Sequence, residues 1–157
     1  MKKIKITDLL IFIVTAELVG ALSALLSGDF KSFYADIIRP PLSPPSWLFP
    51  AVWAVLYALM GISAYIIWRD NGSEIRKAAA MKLYFLQLAV NFSWSIIFFR
   101  FRLLEAAAFT AVLLFVLVVI MVISFRRVNA AAAWINVPYI IWLLFASYLA
   151  ISIYILN

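Results

Sequence analysis

The sequence predicts an all-α integral membrane protein, a bundle of five transmembrane helices. Hydrophobic residues make up 68% of its 157 residues and charged residues only 13%, whereas soluble proteins hold roughly 45–50% and about 25%. The apolar residues form five runs, each close to the roughly 20 residues that a spanning helix needs. Because these runs are too long and too uniformly apolar for barrel strands, their backbone must hydrogen-bond within helices. One domain therefore covers residues 1–157.

The expected helices follow the apolar runs in order, at residues 7–27, 47–68, 78–99, 103–125 and 131–156. The first run follows a basic start like that of a signal peptide, but its length and the presence of Glu17 favour a spanning helix. Short connections make helices three, four and five antiparallel neighbours. Pro50 falls in the first turn of helix two, where proline is tolerated, whereas Pro138 lies inside helix five and predicts a kink.

The longest connection, residues 28–46, is polar and proline-rich. Its pairs Pro40-Pro41 and Pro44-Pro45 favour stiff, extended backbone. We expect the amino terminus in the cytoplasm and this loop outside, in a bacterial or archaeal plasma membrane. The reason is that the amino terminus and the second and fourth connections hold about nine Lys and Arg residues, against about four on the other side.

Several chemistries are excluded by composition. The chain has no Cys and no His, which removes disulfides, thiol nucleophiles, imidazole catalysis and zinc sites of the usual kind. Haem could be ligated only through Tyr or Met. The net charge of +6 comes from small basic groups between apolar runs rather than from one basic face, so we expect the lipid bilayer as a partner and no nucleic acid.

Polar and aromatic side chains recur on one face of three helices. Glu17, Gln87 and Asn91 lie deepest in the predicted spans, where such residues face a bundle interior or a cavity. For Glu17, a structural hydrogen bond to another helix is an equal alternative. Helical spacing places further residues with them: Trp94 and Phe98 on helix three, Trp53 and Tyr57 on helix two, Trp142 and Ala146 on helix five. Amide groups beside broad rings suit a flat ligand with polar edges, although plain core remains the alternative.

Small residues recur every fourth position on helix one, at Ala16, Gly20, Ala24 and Gly28. Such a stripe lets another backbone come close. It favours tight packing within the bundle, or a seam between copies, over a functional site. We expect a homodimer.

Three blocks of sequence resemble one family. They are residues 39–61 (RPPLSPPSWLFPAVWAVLYALMG), 87–99 (QLAVNFSWSIIFF) and 137–149 (VPYIIWLLFASYL), with the terminal Asn157. In order and in number of spans the whole chain resembles the TspO/MBR family, the tryptophan-rich sensory proteins related to the mitochondrial translocator protein.

That resemblance implies a pocket under the first loop, with residues 28–46 as its lid. Its ligands would be porphyrins such as protoporphyrin IX, and in some members haem, sterols or benzodiazepine-type drugs. No other cofactor is required. Tyr34, Trp53, Tyr57, Asn91, Trp94, Trp142 and Ala146 match the family's pocket, and spacing adds Gln87. The resemblance also makes Trp53 and Trp142 the candidates for any light-dependent porphyrin breakdown, and no other catalytic residue is expected.

The chain departs from the family at two places. Leu42 stands where the family commonly has Trp between the proline pairs, so we expect the lid to close differently. No basic residue follows Tyr148 or Tyr154, so sterol binding by the animal members' motif is not expected. The leading hypothesis is a porphyrin receptor; the alternatives are a light-dependent porphyrin-degrading enzyme and a small proton-coupled transporter that uses Glu17.

Overall fold

The computed structural model describes residues 4–157, apart from the side chain of Lys31, so Lys2 and Lys3 of the orientation argument lie outside it. It confirms the all-α class: no strand occurs in the described part of the chain, and five helical stretches are long and apolar enough to cross a membrane. The helices are α1 (Ile6–Leu26), α2 (Phe30–Asp36), α3 (Leu48–Arg69), α4 (Glu74–Ser95), α5 (Leu104–Arg126), α6 (Ala130–Ile135) and α7 (Val137–Leu156).

The five spans form a closed ring. Helix α1 packs against α3 and α4, α5 packs against α4, α6 and α7, and α6 also packs against α3. The predicted antiparallel neighbours are thus confirmed. Helices α1 and α3 approach closely at Gly61 of α3, where an added Cβ would lie 2.6 Å from the Cα of Ile13 on α1. Glycine at this position allows α1 and α3 to touch in the half of the bundle that contains the start of α1.

The lid, residues 28–46, is not extended throughout. The expectation of extended backbone is wrong for Phe30–Asp36, which form α2. Asp29 accepts a hydrogen bond from the Ser32 backbone N–H at 3.1 Å, which is the contact of a helix N-cap. The proline pairs lie beyond this helix, in backbone without regular structure.

The fifth span is broken rather than kinked. Helix α6 ends at Ile135 and α7 begins at Val137, so Pro138 lies in the first turn of a new helix. Proline has no N–H to continue the helical ladder, and its ring displaces the carbonyl one turn earlier. The side-chain amide of Asn136 donates to the Ala132 carbonyl at 2.9 Å and replaces one lost bond.

The third span is longer than the apolar run that predicted it. Helix α4 begins at Glu74, in a charged turn held by a 2.9 Å ion pair between Glu74 and Lys77. At its other end it continues as a π-helical turn, Ile96–Arg100. Hydropathy does not detect the charged turn, because charged residues flank the membrane without ending the helix.

Candidate functional site

A cavity of about 320 Å³ lies between α1, α3 and α4, below the lid. We call it the main cavity. Six aromatic rings line it, with small residues and few polar groups between them. Its lining residues are Glu17, Gly20, Ala21, Ala24, Ser27, Phe30, Phe49, Pro50, Trp53, Ala54, Tyr57, Asn91, Trp94, Ser95 and Phe99.

The rings of the main cavity are held in place by their neighbours. The Trp94 indole N–H donates to the Ala107 carbonyl at 3.1 Å, and the indole stacks on Phe98 with centroids 5.2 Å apart. Trp53 leans over Tyr57 at 5.6 Å and meets Tyr139 edge-on at 6.1 Å. These contacts fix the orientation of the indoles before any ligand arrives.

A chain of hydrogen bonds crosses the floor of the main cavity. The Tyr57 hydroxyl donates to Asn91 Oδ1 at 3.1 Å, the Asn91 amide donates to the Tyr139 hydroxyl at 2.7 Å, and that hydroxyl donates to Gln87 Oε1 at 2.9 Å. Gln87 Nε2 completes the chain by donating to the sulfur of Met60 at 3.6 Å. All five side chains are buried. Helices α3, α4 and α7, which are the second, third and fifth spans, therefore share one polar interior.

The structure brings together only part of the predicted site. Trp53, Tyr57, Asn91 and Trp94 line the main cavity, and Gln87 lies beneath it. Tyr34 and Ala146 line an adjoining void of about 20 Å³. Trp142 lies on another surface, a groove between α3 and α7 that we call the α3–α7 groove, where its neighbours include Val52 and Phe145.

Two parts of the site were missed from the sequence. Helix α1 forms one wall of the main cavity because Gly20 and Ala24 are small, and a Cβ added at Gly20 would overlap the Tyr57 ring. The sequence predicted that this stripe serves packing, which holds for the buried Ala16 and for Gly20, against which the Tyr57 ring packs. The second missed residue is Tyr139, which joins Asn91 to Gln87. It lies three residues before Trp142 on the same helix, and this spacing could have indicated that it shares a face with Trp142.

The main cavity opens sideways, toward the lipid-facing surface between α1 and α3. Four of its small lining residues, Ala21, Ala24, Pro50 and Ala54, are exposed. We call this gap the side opening. The two helices meet closely at Gly61 and Ile13 and leave this gap nearer the lid.

The lid covers the upper end of the main cavity and is tied down at several points. Phe30 packs on Tyr34 at 5.8 Å and against Phe49 at 6.1 Å. The Tyr34 hydroxyl donates to the Pro44 carbonyl at 2.8 Å. Leu42, at the family's Trp position, is 79% exposed and has a φ of 68°, so its side chain does not cover the cavity.

The chemistry that this arrangement supports is binding. Flat rings, small apolar gaps and one carboxyl group face the cavity, whereas no cluster of three or more Asp, Glu, His or Cys side chains occurs in residues 4–157. Such a lining is typical of a site for a hydrophobic small molecule.

Comparison with known proteins agrees with this description. Residues 11–156 match the TspO/MBR family. The chain belongs to this family. It is 34% identical to the tryptophan-rich protein TspO of Chlorobaculum tepidum over 129 residues, 80% of this chain and 79% of the relative. It is 33% identical to TspO of Archaeoglobus fulgidus over 92% of this chain and 96% of the relative, and 32% identical to the Homo sapiens translocator protein over 80% and 75%.

Proposed function

We propose that this TspO/MBR-family protein is a membrane receptor for porphyrins such as protoporphyrin IX or haem, acting in tetrapyrrole sensing, transport or breakdown. The observation that supports it is the main cavity, which is lined by the rings of Trp53 and Tyr57 from α3 and of Trp94 from α4. A flat macrocycle offers two broad faces for offset stacking on such rings, worth about 0.5–1.5 kcal/mol per pair beyond the buried area.

The size of the main cavity determines how such a ligand would sit. Its 320 Å³ is at the lower end of the roughly 300–1,000 Å³ of ligand pockets. Part of a macrocycle would therefore remain outside the main cavity. The side opening is where the wall of the cavity is exposed, so that part would lie there. We expect the macrocycle to lie between Trp53 and Trp94, with peripheral groups in the side opening.

The membrane orientation belongs to the same proposal. The protein is an integral membrane protein by its family and its five apolar spans. We propose a plasma-membrane location with the amino terminus in the cytoplasm, supported by the distribution of Lys and Arg among the connections. The lid and the upper end of the main cavity then face outward.

Protoporphyrin IX titrated into protein in lipid nanodiscs tests the receptor proposal, with the shift of the porphyrin's main visible absorbance band as readout. We expect Trp53→Leu to raise Kd about tenfold, or about 1.4 kcal/mol, because one stacking face is lost. Trp142→Leu is the matched control, since Trp142 lies in the α3–α7 groove; its Kd should stay within about twofold of the unmodified protein.

Two outcomes would contradict the proposal. If the unmodified protein shifts the absorbance no more than empty nanodiscs do, the protein is not a porphyrin receptor. If Trp142→Leu weakens binding while Trp53→Leu does not, the porphyrin binds in the α3–α7 groove and the main cavity serves another ligand.

A further inference from the structure

We propose that the main cavity is also a binding site for lipophilic organic cations, with Glu17 as the counter-charge. The ligand class is a bulky hydrophobic ammonium or phosphonium compound. This inference uses the same cavity as the proposed receptor function but does not depend on porphyrin binding.

Among the side chains that the structure describes, Glu17 is the one charged group in the lining of the main cavity. It is partly buried, and its carboxyl group makes no hydrogen bond or ion pair with any of these described side chains or with the described backbone. A charged group at membrane depth is costly unless it has a partner. When Glu17 is ionised, its partner is therefore expected from outside the described residues, and for a carboxylate that partner is a cation.

Most other polar groups of the main cavity are already engaged within the protein. The Tyr57 hydroxyl and the Asn91 amide belong to the floor network, the Trp94 N–H is bonded to Ala107, and the Ser27 hydroxyl donates to the Ala24 carbonyl at 2.7 Å. A ligand thus meets satisfied groups over most of the wall. The Glu17 carboxyl, with the Ser95 hydroxyl, is left to interact with it.

The aromatic wall strengthens the preference for a cation. A cation within about 6 Å of the centre of an aromatic ring is attracted by the ring's negative face. Trp53, Tyr57 and Trp94 line the same cavity as Glu17. An anion of the same size would meet the negative faces of these rings and an unscreened carboxylate.

None of the basic side chains that the structure describes competes for Glu17 inside the cavity. Arg100 donates to the Leu26 carbonyl at 3.2 Å, nine residues further along α1, which corresponds to about 14 Å at 1.5 Å per residue. Within the described side chains, neither a Lys nor an Arg lines the cavity. The carboxyl therefore keeps its capacity to bind an external cation.

The side opening gives such compounds a route. Lipophilic cations dissolve in the bilayer with their apolar groups among the acyl chains, and the exposed Ala21, Ala24, Pro50 and Ala54 connect that region with the cavity. A ligand can pass between α1 and α3 without displacing the lid.

Two ions of nearly equal size and shape test the proposal: tetraphenylphosphonium and tetraphenylborate. Binding is measured with protein in nanodiscs of zwitterionic lipid against empty nanodiscs, with an ion-selective electrode for the free ion. We expect saturable binding of tetraphenylphosphonium, none of tetraphenylborate, and at least a tenfold loss of cation affinity in Glu17→Gln. Glu17→Asp should keep most of the affinity, and Glu105→Gln, at the exposed start of α5, should keep all of it.

The proposal is overturned if the unmodified protein binds no more tetraphenylphosphonium than empty nanodiscs, or if Glu17→Gln binds it as well as the unmodified protein does. Protoporphyrin IX is titrated into the same samples. If the unmodified protein binds protoporphyrin IX but not tetraphenylphosphonium, this inference alone is removed. If it binds tetraphenylphosphonium in a Glu17-dependent way but does not bind protoporphyrin IX, the receptor proposal alone is removed. Displacement of the cation by protoporphyrin IX would place both ligands in one cavity.

Discussion

The side-chain amide of Asn91 donates a 2.7 Å hydrogen bond to the hydroxyl of Tyr139, joining the third span to the fifth at full burial. That hydroxyl passes the chain on to Gln87. One phenol therefore pairs with one polar atom on each of two buried amides, the nitrogen of Asn91 and the oxygen of Gln87. This makes Tyr139 the central link of the floor beneath the main cavity.

Removing the Tyr139 hydroxyl should destabilise the bundle. Tyr139→Phe leaves the Asn91 amide and the Gln87 carbonyl each without one partner, a change that costs about 1–3 kcal/mol in buried sites and less where membrane helices find substitutes. We expect a loss of about 1–2 kcal/mol in the free energy of unfolding, measured by denaturant titration in mixed micelles.

Tyr154→Phe is the matched control, because Tyr154 on the same helix is 44% exposed and outside the network. Equal stability of Tyr139→Phe and Tyr154→Phe would mean that the network contributes nothing to the fold.

The sequence predicted the parts of the site that follow helical periodicity. Trp53 with Tyr57, and Asn91 with Trp94, share a face because they are four and three residues apart on regular helices, and both pairs line the main cavity. Periodicity on one helix does not indicate which neighbour that face meets. Trp142 has the right spacing but lies in the α3–α7 groove.

The wall formed by α1 was hidden for a different reason. Gly20 and Ala24 contribute space rather than side chains, and space between helices is a property of the packing and not of one residue. Helix α2 was missed because extended backbone was predicted for the loop from its proline pairs, which all lie beyond the end of this helix at Asp36. Glu17 was identified as unusual, but only the packing shows that it faces a cavity.

Substitution of alanine at Gly61 and at Gly20 should affect the stability of the fold and porphyrin binding to different extents. Gly61→Ala places a Cβ 2.6 Å from the Ile13 backbone, which cannot move without separating α1 from α3; we expect a loss of about 1–3 kcal/mol in unfolding free energy. Gly20→Ala meets the Tyr57 side chain instead, which can shift into the main cavity. We expect a smaller loss of stability there but several-fold weaker porphyrin binding.

Unfolding titrations and porphyrin titrations on both variants check this pair. A Gly20→Ala protein with unchanged porphyrin Kd and unchanged stability would show that the Tyr57 ring does not limit the cavity.

Cysteine labelling should report whether the side opening admits water. The chain has no native Cys, so single variants are unambiguous, and a maleimide reacts with the hydrated thiolate. We expect Ala24→Cys, at the side opening, to react faster than Val116→Cys, which is 46% exposed on the lipid-facing surface of α5. Bound protoporphyrin IX should slow the first reaction and leave the second unchanged; equal rates without ligand would contradict a water-filled opening.

Breaking the hydrogen bonds that hold the lid should loosen it without changing the route by which ligands enter the main cavity. Asn157 holds it by accepting from the Ile38 N–H at 2.9 Å and donating to the Ile38 carbonyl at 3.0 Å, and the Tyr148 hydroxyl donates to the Pro41 carbonyl at 3.0 Å. Asn157→Ala removes the double contact, so we expect several-fold faster cleavage of the lid by a protease in nanodiscs, with Ser152→Ala on the same helix as control.

The rate of porphyrin association distinguishes the two possible routes in that variant. If ligands enter through the side opening, the association rate measured by stopped-flow absorbance should match that of the unmodified protein, because Ala21 and Ala24 on α1 are untouched. An association rate that rises together with lid cleavage would instead show that ligands pass under the lid, and that the hydrogen bonds from Asn157 limit access to the main cavity.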